Sequence, residues 1–157
     1  MQKKEINIVW FKRDLRLTDH EPLFTAQQNN LPILLLYCFE PSVMSYPDAD
    51  VRHWRFVYES LQALQNQLHT ASIQLYVFHQ EAAFVFEALA KNYKINSVFS
   101  HQETGNALTF NRDKNIQLLF AQKGITWHEF QTNGVIRKLK SRELWEEKWK
   151  QTMSALP

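Results

Sequence analysis

Glycine is scarce in this 157-residue sequence, with three residues at 105, 124 and 134. So few glycines leave no Gly-x-Gly-x-x-Gly turn after the first apolar segment and no Gly-x-x-x-x-Gly-Lys loop. Binding of NAD or FAD in the Rossmann manner, and of ATP in the P-loop manner, therefore loses its sequence basis. Cysteine is scarcer still. Cys38 stands alone, which excludes an internal disulfide and a thiolate metal cluster; inside an apolar run it reads as a small buried hydrophobe. An excess of one charge is also missing: 18 basic residues face 16 acidic ones, too even a balance for a protein that holds nucleic acid by charge alone. The longest apolar run, Ile33–Phe39, is too short to span a bilayer, and the start at Met1–Glu5 lacks the apolar core of a signal peptide. These absences lead us to expect a cytoplasmic protein with no membrane contact. The six histidines show no helical metal-ligand spacing, and no Gly-x-Ser-x-Gly elbow marks a serine nucleophile. The sequence names no catalytic residue and no metal ligand.

What is present is apolar and periodic. Apolar residues make up 45% of the chain, enough for one domain with a sizeable core. Branched and aromatic runs at 6–11, 33–39, 73–78, 97–99 and 125–127 read as five strands. Segments with helical spacing lie between them, at 22–28, 51–68, 82–93 and 109–122, the last closed by Gly124 as a C-cap. Near-continuous apolar strands alternating with helices predict an α/β fold, a doubly wound five-stranded parallel sheet with helices on both faces. Beyond Phe130 the character changes. Residues 131–134 read as a turn, Val135–Lys140 is basic, and Ser141–Lys150 reads as a capped helix with Leu144, Trp145 and Trp149 on one face. That face either docks on this same domain or leads into a second one. The chain stops soon after, at Pro157, which suits a short protein as well as a domain separated at a linker.

In open α/β sheets ligands bind beyond the carboxyl ends of the strands, near the point where strand order reverses. Polar residues gather at those ends: Lys12–Arg16 after the first strand, Glu40 after the second, His79–Glu81 after the third and His101–Asn106 after the fourth. Read for structure alone, Arg13, Asp14 and Arg16 pair with nearby carboxylates and cap the first helix.

The stretch Val9–Asp19 closely resembles the opening signature of the DNA photolyase and cryptochrome family, Val-Trp-Phe-Arg-Arg-Asp-Leu-Arg-Leu-x-Asp. Tyr37–Pro41 is similar to that family's second strand end, Arg52 stands where the family starts its second helix with arginine, and Gln102–Asn106 with Asn111–Asp113 resembles the stretch after its fourth strand. The resemblance implies residues 1–130 as the family's α/β domain, and 131–157 as a connecting segment and helix leading toward a FAD-binding helical domain that lies outside this chain. It implies light-driven repair of UV-damaged DNA for the whole protein, with a cryptochrome-type blue-light sensor as the alternative, and no activity for this part alone. FAD would sit in the other domain, which would also meet the damaged DNA. Here the resemblance implies an antenna chromophore of folate, deazaflavin or lumazine type, held by Lys12, Arg13, Phe39, Glu40, Arg52, Glu103 and Thr104. His20-Glu21 replaces the family's usual asparagine, Gly105-Asn106 stands where Glu-Pro is frequent in deazaflavin binders, and 134–153 lacks the family's usual lead into the helical domain. Chromophore type, and repair against sensing, stay open. A nucleotide-binding α/β protein of stress-response type would carry a glycine-rich loop near the fourth strand, which is absent.

Overall fold

The computed structural model describes residues 3–137 and 141–155. Five strands form one parallel sheet: β1 (Lys4–Phe11), β2 (Ile33–Phe39), β3 (Leu75–His79), β4 (Tyr93–His101) and β5 (Thr126–Phe130). Their order is β3-β2-β1-β4-β5, so the chain winds outward from β1 to one edge, crosses over, and completes the other half. Six helices connect or follow them: α1 (Glu21–Gln27), α2 (Pro41–Met44), α3 (Val51–His69), α4 (Ala82–Asn92), α5 (Ala107–Lys123) and α6 (Trp145–Ser154). The doubly wound α/β expectation holds.

Both faces of the sheet are covered because side chains alternate along each strand. From β1, Ile6, Ile8 and Trp10 enter one core with Phe86 of α4 and Phe120 of α5. Val9 and Phe11 enter the other, with Leu61, Leu64 and Leu68 of α3 and Ala26 of α1. Edge-to-face contacts tie the first core together, Trp10 to Phe86 at 5.2 Å and Phe86 to Phe120 at 4.8 Å between ring centroids.

The helix ends follow local chemistry. Asp50 caps α3 by accepting from the Arg52 amide, and Asn106 caps α5 by accepting from Thr109. Gly124 closes α5 in the left-handed region at φ 66°, the conformation that favours glycine. Boundaries moved where a side chain overrode the pattern. Strand β3 starts at Leu75 rather than Ile73, because the Leu75 amide donates to the Gln65 side chain of α3 at 2.8 Å and ends the preceding turn there. Helix α4 gives way directly to β4, which starts at Tyr93 and pairs with Lys4 of β1. The one-turn α2 was not foreseen. The last helix begins at Trp145 rather than Ser141, whose hydroxyl instead accepts from the Glu143 amide in the preceding turn. Of the basic stretch 135–140, residues 138–140 lie outside the described residues.

Helix α6 does touch this domain. Trp149 packs so closely on Gly134 that no methyl group would fit between them, while Leu144 and Trp145 remain 55% and 45% exposed. No described helix is long and apolar enough to cross a membrane.

One polar residue disturbs the core. Asn7 of β1 is fully buried, and neither its Oδ1 nor its Nδ2 has a hydrogen-bond partner among the described residues. Leucine has a similar reach and carries no desolvation cost of this kind. Asn7→Leu is expected to raise stability by about 1–3 kcal/mol, seen as a higher urea midpoint with an unchanged slope. A lower midpoint would count against an unmet amide at this position.

Candidate functional site at the strand ends

Strand order reverses between β1 and β4, so the expected crevice lies beyond Phe11 and His101. Side chains fill it. Arg112, on the second turn of α5, reaches Glu40 at 2.5 Å, Glu103 at 2.8 Å and Asp113 at 2.9 Å. Lys12 Nζ pairs with Asp113 at 2.9 Å, and Arg13 with Glu103 at 3.1 Å. Arg137 closes the group, donating to the Glu103 carbonyl at 2.7 Å and pairing with Glu129 at 3.0 Å. The cations also lie on aromatic faces: Lys12 Nζ is 4.5 Å from the Trp10 ring centroid and 5.0 Å from that of Trp127, and the Arg112 guanidinium is 5.0 Å from Trp10.

Burial makes the network exacting. Burial pushes the Lys12 ammonium below its ordinary value, with Asp113 opposing. Burial works against ionisation of Glu103 too, but Arg112, Arg13 and Lys12 outweigh it and hold the carboxyl below its usual range.

A second buried cluster braces the loop after β1. Asp14 Oδ1 accepts from the Lys12 amide at 2.8 Å, and Oδ2 accepts from His20 Nε2 at 2.7 Å and His101 Nδ1 at 2.5 Å. His20 Nδ1 accepts in turn from the Leu23 amide at 3.1 Å, so Nε2 carries the His20 proton and the ring caps α1. The sequence assigned no metal ligand; the fold brings the donor atoms of Asp14, His20 and His101 within 4.8 Å of one another. Two ligands of one zinc ion sit roughly 3.3 Å apart, wider than either contact to Asp14, so the spacings are those of hydrogen bonds. The capping expected of Arg13, Asp14 and Arg16 falls to His20 instead, while Arg13 pairs with Glu103 and Arg16 with Asp19.

Beside the ionic network, between the ends of β1 and β2 and the first half of α3, lies a cavity of about 930 Å³. Tyr37, Trp54 and Phe56 give it aromatic surface, and Arg13, Asp48, Asn106 and the Glu40–Arg112 pair give it polar surface. Four of the seven residues singled out from the sequence line it: Lys12, Arg13, Glu40 and Glu103. The other three do not. Phe39 lies behind the wall, its ring 6.1 Å from Trp54 and 5.0 Å from Tyr37. Arg52 is exposed and pairs with Asp50 of its own helix cap at 2.9 Å. The Thr104 hydroxyl accepts from the Asn133 side chain at 3.4 Å. Sequence reasoning misses Trp54 and Phe56, which look like exposed helix positions, and leaves Arg112 out of the site although its Arg-Asp pair is part of the resemblance.

The family model described as DNA photolyase matches residues 7–142. The chain belongs to that family. Its relatives include the chloroplastic/mitochondrial cryptochrome DASH of Solanum lycopersicum, 32% identical over 107 residues, a match covering 64% of this chain and 18% of that protein. Among solved structures, a Synechocystis cryptochrome superposes with a TM-score of 0.79 at 22% identity, covering 100% of this chain and 36% of the other. An archaeal photolyase from Sulfolobus tokodaii, described with two FAD molecules and an implied novel light-harvesting cofactor, gives 0.77 at 18% identity, covering 97% and 36%. The photolyase-family chain spans about a fifth of the length of the curated relatives it matches, and its fold is that of the N-terminal domain in these structures.

Proposed function

We propose that this photolyase-family domain holds an antenna chromophore in the cavity beside β2 and α3, and serves a flavin-bearing helical domain within a light-driven DNA-repair protein. The observation that carries the reading is the cavity itself: a space of about 930 Å³ with aromatic walls and a few fixed polar groups, which suits a planar heterocycle. Trp54 supports the fit, since its buried Nε1 has no hydrogen-bond partner among the described residues. Bound there, an antenna absorbs light and passes the excitation on. The chain's own residues would bind and orient it: Trp54 and Phe56 by ring contact, Arg13 and Asn106 by hydrogen bonds at the rim. Lys12 and Glu103 would set the charge of the floor from within the ionic network. Residues 131–157 would form the connection toward the helical domain, and the chain alone would neither retain FAD nor split pyrimidine dimers.

Reconstitution tests the reading. Purified protein titrated with reduced folate, deazaflavin and lumazine compounds should bind one of them with a shifted absorption band. Phe56→Ala should weaken that binding about threefold to tenfold, and the choice is safe for folding because Phe56 is 71% exposed. Absence of binding by all three would overturn the proposal. A blue-light sensor is the second reading, favoured by the name cryptochrome that several curated relatives bear. Joining the chain to its helical domain and following loss of pyrimidine dimers under blue light separates the two.

A further inference from the structure

The near-even charge total conceals a separation along the sheet. Carboxylates follow the carboxyl ends of the strands, with Asp14, Glu40, Glu81 and Glu103 after β1, β2, β3 and β4. The amino ends carry lysines instead: Lys3 and Lys4 at the start of β1, Lys91 in the last turn of α4, Lys94 at the start of β4 and Lys123 in the last turn of α5. All five are exposed. The fold brings them together. Lys4 pairs in register with Tyr93, the neighbour of Lys94, and Lys3, Lys94 and Lys123 line one recess. The loops that share this end of the sheet, 28–32, 70–74 and 124–125, contain no carboxylate.

Part of this charge serves the fold. Lys3 donates to the Ala90 carbonyl near the end of α4 at 2.7 Å, and Lys91 and Lys123 stand where a helix end favours a cation. Each such end offers only about half an elementary charge, and water screens it. Glu5, bonded to Lys94 at 2.6 Å, is the one carboxylate paired with any of the five among the described residues, and both members of that pair are exposed. Most of the positive charge is left for solvent or for a partner.

We propose that this amino-end edge is a contact surface for the phosphate backbone of nucleic acid, independent of base sequence and of whatever the cavity at the opposite end holds. Spacing favours such a partner. Successive strands lie about 4.8 Å apart, and the lysines spread across β1, β4 and β5. They therefore cover about 10 Å, room for about three phosphates at about 3.4 Å of axial rise per strand. A lipid surface fits less well, because it calls for exposed apolar or aromatic side chains among the cations. None of the large exposed apolar residues falls within 3–5, 90–95 or 123–125. The carboxylates at the other end of the sheet repel the same backbone, so the charge separation also turns the domain lysine end first.

Fluorescence anisotropy of a labelled, undamaged duplex titrated with the 157-residue protein tests this. Between about 20 and 100 mM KCl, log affinity should fall against log salt with a slope of about −3, the value for about three phosphates. Lys4→Gln with Lys94→Gln and Lys123→Gln should flatten the slope to about −1 or less and cost about tenfold or more in affinity at the lowest salt. The three side chains are exposed, so the urea midpoint should stay near that of wild type. Lys114→Gln with Lys148→Gln and Lys150→Gln removes the same charge elsewhere and should change affinity by less than about threefold. Poly-glutamate of matched charge should compete poorly. Absence of binding by wild type at low salt, equal binding by the amino-end variant, an equal loss in the control variant, or poly-glutamate competing as well as unlabelled duplex would each overturn the proposal.

Discussion

Arg112→Met is expected to cost about 3–5 kcal/mol of folding free energy, because it strips the shared cation from three buried carboxylates at once. The side chains of Glu40, Glu103 and Asp113 are 4%, 3% and 7% exposed, and Arg112 itself 14%, so water does little to screen them. Coulomb attraction in such a place is strong, but the desolvation already spent on each ion is comparable. The net worth of the intact cluster is therefore far smaller than the damage from removing its centre. That asymmetry supplies a rescue. In Arg112→Met with Glu40→Gln and Glu103→Gln two of the three orphaned charges are gone and Asp113 keeps Lys12 as its partner, so more than half of the lost stability should return. Urea unfolding followed by tryptophan fluorescence reads both results, and Trp10, lying under Arg112, should report the loosened network even before unfolding. An unchanged midpoint for Arg112→Met would mean that the three carboxylates are satisfied without it. Arg112→Lys should fall between, since an ammonium cannot span three partners in one plane.

Asp14→Ala is expected to be nearly as costly, about 3–5 kcal/mol, by leaving His20 Nε2, His101 Nδ1 and the Lys12 amide without their common acceptor. It also has a pH signature. Burial opposes ionisation of Asp14, but hydrogen bonds from His101 and His20 outweigh it and hold the carboxyl far below its ordinary value of 3.8. The folded state thus binds fewer protons here than the unfolded state does. The contribution of Asp14 is fully present above pH 4 and diminishes as the pH falls below the unfolded value toward the folded one. The difference in stability between wild type and Asp14→Ala should accordingly be constant near neutrality and shrink under acid. A gap that widens as the pH drops below 4 would contradict the assignment.

The fold could be read from the sequence because its signals are local. Val9 and Phe11 alternate with Ile8 and Trp10, and Gly124 caps the end of α5 as its residue type suggests, while the helix starts at Ala107, behind the Asn106 cap, rather than at 109. The doubly wound order then follows from the alternation of strands and helices. The site was less legible, since its contacts join residues distant in the chain. Asp14 and His101 are 87 residues apart and meet only because β4 crosses over to pair with β1. The Arg112-Asp113 pair reads along the sequence as an ordinary charged helix surface; it is buried because α5 starts directly over the strand ends. Arg52 shows the opposite limit. A cation at the start of a helix near a site invites a ligand role, yet Asp50 lies two residues away and engages it.

The span of the ionic network bears on how the chain assembles during synthesis. Lys12 and Asp113 are separated by 101 residues, and β1, the first of the five strands in chain order, lies at the middle of the sheet. A nascent chain released as far as β3 can pair three strands but leaves one flank of β1 open, with Lys12 and Glu40 still in water. Those ions can stay hydrated until α5 emerges, so their desolvation falls late, after the apolar cores have begun to close. Ribosome-bound chains ending before residue 107 should therefore remain susceptible to protease along β1, and longer ones should become resistant once α5 has cleared the exit tunnel.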